Sequence, residues 1–68
     1  MAKYLAVVVK ELEDHGEIID WFPSFRQAQE FVDAQKEGTY RIYVKVFDDG
    51  GDYYVRGSRE ELERIWRQ

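Results

Sequence analysis

Tyr40-Arg41-Ile42-Tyr43-Val44-Lys45-Val46-Phe47-Asp48-Asp49-Gly50-Gly51-Asp52-Tyr53-Tyr54-Val55-Arg56-Gly57-Ser58-Arg59-Glu60-Glu61 is the stretch that decides the fold. From Tyr40 to Phe47 it alternates. Ile42, Val44 and Val46 fall on one side, and Arg41, Tyr43, Lys45 and Phe47 on the other, as in a strand with one face in a core. Asp48-Asp49-Gly50-Gly51 is hairpin chemistry, because Asp-Gly and Gly-Gly accept the positive φ of tight turns. Asp52–Arg56 is then the returning strand. Ser58, followed three residues later by Glu61, forms a capping box, and Glu60 and Glu61 both suit a helix N-terminus. Leu62, Ile65 and Trp66 give this helix a short apolar stripe. At about ten residues it is too short to persist alone in water, so it must dock, with Trp66 as its anchor.

Toward the N-terminus the same order recurs. Lys3–Glu11 is a strand centred on Val7, Val8 and Val9. Glu13-Asp14-His15-Gly16 is a turn, with Asp14 suited to an Asx turn and Gly16 to positive φ. Glu17–Phe22 is a second strand, ended by Pro23, which has no amide hydrogen for a ladder. Ser24 and Gln27 open a helix in the capping-box pattern. Phe25, Ala28, Phe31, Val32 and Gln35 share one stripe of it, and Gly38 sits where a left-handed residue would stop it. Two ββα pseudo-repeats, about residues 3–38 and 39–68, predict a single α+β domain: a ββαββα two-layer sandwich with a four-stranded, mostly antiparallel sheet and two helices on one face. Placing the first strand at an edge, beside the second, with the second and fourth parallel and central, gives a permuted ferredoxin-like sheet. Two ββα sheets joined differently, including across a dimer, are the alternative.

Sixty-eight residues allow one core, and at this size only about 60% of the unfolded surface is buried. There are no cysteines, so neither disulfides nor thiolate metal sites contribute. Two Trp, five Tyr and four Phe must supply much of the packing, and homodimerisation would add buried area. No apolar run approaches the roughly 18 to 20 residues that span a bilayer. Leu5–Val9 is shorter than a signal-peptide core, and no small-residue cleavage site follows. The expectation is a stand-alone cytoplasmic protein without a membrane partner. A net charge of −4 argues against general binding to duplex nucleic acid.

Strand alternation assigns Leu5, Val7 and Val9, with Ile42, Val44 and Val46, to the core. The opposite face would then carry Tyr4, Ala6 and Val8 beside Arg41, Tyr43, Lys45 and Phe47, joined by Tyr54 and Arg56. Strand Glu17–Phe22 is ambiguous, since Ile18 and Phe22 oppose Ile19 and Trp21. The candidate binding set is therefore Tyr4, Arg41, Tyr43, Lys45, Phe47, Tyr54 and Arg56. Tyr and Arg are common anchors of protein interfaces, which makes a protein partner or a second copy the first expectation. Rings flanked by cations on a four-stranded sheet also stack single-stranded bases, although Tyr40–Phe47 lacks the glycine-punctuated RNA-recognition signature. A merely solvated strand is the plain alternative.

Catalytic chemistry has little to build on. His15 lies in a turn, and Ser24 and Ser58, the only serines, serve as caps. Asp48, Asp49 and Asp52 fit a hairpin and lack the distal glutamate of an EF-hand. Carboxylates interleaved with Lys and Arg leave no acidic stripe to imitate nucleic acid. The sequence predicts a non-enzymatic protein with no cofactor and no metal site, an enzyme being the remote alternative. From Ser24 to Trp66, the order of serine-capped helix, tyrosine-rich strand pair and second capped helix resembles a SPOR repeat. SPOR domains bind cell-wall glycan and are usually exported. The extra strand at the front and the lack of an export-signal pattern depart from them, so the resemblance bears on fold alone.

Overall fold

The computed structural model describes residues 3–67. The chain runs β1 (Lys3–Glu11), β2 (Gly16–Phe22), α1 (Phe25–Ala34), β3 (Thr39–Asp48), β4 (Gly51–Val55) and α2 (Arg59–Trp66). The four strands form one antiparallel sheet in the order β2-β1-β3-β4. This differs from the permuted ferredoxin-like order, which put β2 and β4 at the centre. Polarity explains the difference. β1 and β3 are the most apolar strands and take the two central places, where both edges are paired. β2, with Glu17 and Asp20, and the short β4, with Asp52, are exposed along most of their length and form the rims.

Both helices pack on one face. Their core joins Ala6 and Val8 of β1, Val44 and Val46 of β3, Phe25 and Ala28 of α1, and Leu62 of α2. Ala6 and Ala28 are both wholly buried, which lets α1 lie close to the sheet. Trp66 anchors α2, its ring centroid 5.0 Å from Phe25 and 5.7 Å from Tyr4. Phe22 and Phe31 close the other end of the layer at 5.5 Å. Among the described residues no charged or polar side chain is buried, so cohesion comes from apolar packing.

The β1 faces are the reverse of the sequence-based assignment. The register sets Tyr4 opposite Val46, Ala6 opposite Val44 and Val8 opposite Ile42, so Tyr4, Ala6 and Val8 face the helices. Leu5, Val7 and Val9 lie on the other side, opposite Lys45, Tyr43 and Arg41. Val7 is nevertheless fully buried and Val9 nearly so, giving β1 four consecutive buried residues from Ala6 to Val9. A central strand covered on both faces needs no alternation.

The caps follow the sequence. Ser24 accepts a hydrogen bond from the Gln27 amide, and Ser58 from the Glu61 amide, while the Glu61 carboxylate accepts from the Ser58 amide. α1 stops earlier than expected: Gln35 is already extended, and the positive φ of Gly38, 95°, serves the turn into β3. Gly16 does not have positive φ. It is needed for space, because a Cβ there would lie 2.7 Å from Val9 Cγ1. In the second hairpin the positive φ, 128°, falls on Gly51, which pairs with Asp48 beyond the two-residue tip.

Candidate functional site

The face turned away from the helices is built row by row from the register. One row across the sheet reads Trp21, Val7, Tyr43; the next reads Leu5, Lys45, Tyr54; the last reads Lys3, Phe47, Asp52. Val7 therefore lies between two large rings, and these cover it. Leu5, Val7 and Val9 form an aliphatic floor, with aromatic side chains standing over it. Trp21 and Tyr54 each remain 45% exposed.

Lys45 is the centre of this face. Its Nζ lies 4.8 Å from the Trp21 ring centroid, 5.1 Å from Phe47 and 5.3 Å from Tyr54. Three rings contributed by three strands thus surround one ammonium, each contact worth about 0.5–1 kcal/mol where partly exposed. Arg41, toward the far end of the face, pairs with Glu11. The middle of the face is aromatic and apolar around the caged Lys45, with Arg41 neutralised by Glu11 at one end and Lys3 and Asp52 on either side of Phe47 at the other.

Of the seven residues expected there, Arg41, Tyr43, Lys45, Phe47 and Tyr54 share this face. Tyr4 does not: it points to the helices and stacks on Trp66, because its register partner is Val46. Arg56 follows the end of β4 and lines a groove at the rim of β3 instead of joining the rings. Trp21 belongs to the face although the sequence left it unassigned. A bulge hides it: Asp20 pairs with Val8 and Ile18 with Val9, leaving Ile19 as an extra residue. The alternation of β2 breaks at that point, and Ile18 and Ile19 both stay exposed.

The groove holds about 620 Å³ and lies between α1, the rim of β3 and the segment joining β4 to α2. Arg59, at its α2 end, reaches Glu63 at 2.9 Å and Gln29 at 3.3 Å, and its guanidinium lies over the Phe25 ring. His15 lies in the exposed first turn, its ring hydrogen-bonded to the neighbouring Asp14 carboxylate. No cluster of three or more His, Cys, Asp or Glu positioned for a metal ion occurs among the described residues. No helix among them is long and apolar enough to cross a membrane. No family model matches the chain, and no curated protein or solved structure matches it either.

Proposed function

We propose that this is a small non-catalytic interaction protein that binds another protein through the sheet face opposite its helices. The observation that carries the proposal is the ring cluster of Trp21, Phe47 and Tyr54 around Lys45, with Trp21 and Tyr54 half-exposed beside the buried Val7 and Val9. Rigid aromatic side chains on a packed base lose little conformational freedom on contact, and such residues dominate interface energetics. A standard interface takes about 800 Å² per partner, which is about a sixth of this chain's 5139 Å² surface. One face of the molecule can supply that.

The charge pattern favours a different protein over a second copy. A two-fold axis through the ring cluster would bring Lys45 against its own symmetry mate, and like charges across an interface are costly. A partner surface that is apolar and carries a carboxylate would satisfy Lys45 in place of water. Single-stranded nucleic acid is the competing reading. It is disfavoured because the rings are arranged about a cation of the chain's own, and because Arg41 is already paired.

The test compares the wild-type chain with Tyr54→Glu and Trp21→Ser, with Arg26→Ser on the exposed side of α1 as control. Proteins captured from the native host should bind wild type and the Arg26 variant and be lost with the two face variants. Light scattering of the free protein should give a monomer. An oligothymidylate that binds at low salt, weakens as salt is raised and is lost with Tyr43→Ala would refute the proposal in favour of nucleic acid. A dimer broken by Tyr54→Glu would do so in favour of self-association.

A further inference from the structure

β4 is shorter than the strand it pairs with. β1 is paired with β3 as far as Thr39, but the last rung between β3 and β4 joins Val44 to Val55. The outer edge of β3 from Thr39 to Tyr43 therefore has no strand beside it. The 620 Å³ groove runs along this edge, and both Ile42 and Tyr43 line it. Successive strand residues point to opposite faces, so a single cavity reached by both must follow the rim, where the backbone groups are unpaired.

The groove has two unlike sides. On the helix side Val32 of α1 and Ile42 give an apolar patch, bounded by Gln29 and the Arg59 that donates to it. On the open side Arg41 projects, and Arg56 and Arg59 close the far wall. Three of the chain's ten Lys and Arg thus line it against one of its fourteen Asp and Glu, and after ion pairing one positive charge is left over on a protein of net charge −4. Glu11 is that carboxylate and is held by Arg41, while Arg59 is held by Glu63. Arg56 takes part in no ion pair among the described residues.

We infer that this groove accepts an extended acidic peptide segment as an added strand alongside Thr39–Tyr43. Main-chain hydrogen bonds to the free edge would supply affinity, and alternate side chains would supply selection. The period of two fixes the pattern: apolar residues directed at Val32 and Ile42, and carboxylates on the opposite side, toward Arg56, which has no ion pair among the described residues. About five or six residues fill the free edge at about 3.3 Å each. The inference stands on the free edge and its charge and is independent of the ring cluster.

The test is a ¹⁵N NMR titration of the full chain with an acetylated and amidated (Val-Glu)₄ peptide. Three comparators are (Val-Lys)₄, (Pro-Glu)₄, which has charge but no amide hydrogens at alternate positions, and an eight-residue oligothymidylate. Saturable shifts confined to the amides of residues 39–43 and 56–59, produced by (Val-Glu)₄ and weakened by salt, are the expected result. Arg56→Ala should weaken binding by up to about fivefold and Arg56→Glu by more, with the circular-dichroism melt of each variant unchanged. Equal binding of (Pro-Glu)₄ would reduce the groove to diffuse charge attraction and overturn the inference. So would equal binding of (Val-Lys)₄, stronger binding of the oligothymidylate at the same amides, or no shift with (Val-Glu)₄ at millimolar concentration.

Discussion

Val7→Ala is the substitution that most directly tests how the sheet is covered. Val7 lies on the face without helices, where a simple two-layer sandwich would leave it wet, yet it is fully buried beneath Trp21 and Tyr43. Removing two methyl groups costs about 1.6 kcal/mol in transfer free energy at about 0.8 kcal/mol each. If the rings stay in place, the residual void adds roughly 0.5–1 kcal/mol. The expected loss is therefore about 2–2.5 kcal/mol. That is a large share of the roughly 3–10 kcal/mol that a chain of this size has in total. Urea denaturation followed by far-UV circular dichroism, with an m-value near 1 kcal/mol/M for a small domain, should show the midpoint falling by about 2 M. A loss below about 0.5 kcal/mol would mean that Trp21 and Tyr43 do not seal the strand, and the aliphatic floor of the proposed interaction face would be lost with it. A double-mutant cycle with Trp21→Ala sharpens the result, since the two losses should be less than additive when one residue covers the other.

Two further substitutions probe the local devices. Ser58→Ala should destabilise by about 1 kcal/mol, and by more than Ser24→Ala, because Ser58 has the full reciprocal capping box while Gln27 does not return a bond to the Ser24 amide; paired thermal melts decide the order. Gly16→Ala should cost about 1–3 kcal/mol, since the new Cβ would lie 2.7 Å from Val9 Cγ1 on a strand packed on both faces. If hydrogen exchange of the β1–β2 ladder is unchanged in that variant, the close approach of Gly16 to Val9 is not structural.

What the sequence revealed, and what it hid, follows from which strands carry polar markers. In β3, Arg41, Tyr43 and Lys45 alternate with Ile42, Val44 and Val46, and that division into faces is the one the structure shows. β1 reads Leu5-Ala6-Val7-Val8-Val9, which has no period, and either alternate set could have met the helices. The larger set looked like core. The register with β3 put the smaller one on the helix side, where Ala6 joins Ala28 in one buried cluster. Tyr4 changed faces with it. Trp21 was hidden by the Ile18–Ile19 bulge, a feature of pairing that no single strand announces. The Ser24 and Ser58 caps and the Asp48–Gly51 turn are local and were plain in the residues themselves, whereas Gly16 is set by its closeness to Val9 and not by the positive φ expected of it. The groove depends on β4 ending before β3 does, which emerges only when the two are laid side by side.

The central place of β1 has a consequence during synthesis. β1 leaves the ribosome before the other three strands of the sheet and is the most deeply buried of them. Its partners on β3 lie between 28 positions away, Glu11 to Thr39, and 44 positions away, Lys3 to Phe47. Until β3 emerges, β2 can satisfy only one edge, and the uncharged run from Leu5 to Val9, β-branched over Val7–Val9, waits with the other edge open. Such a segment is the natural seed for association between nascent chains. Lys3 before the run, and Lys10 and Glu11 after it, are the kind of charged flanks that oppose this. Replacing them would leave the finished fold's core intact and still lower the yield of protein that reaches it.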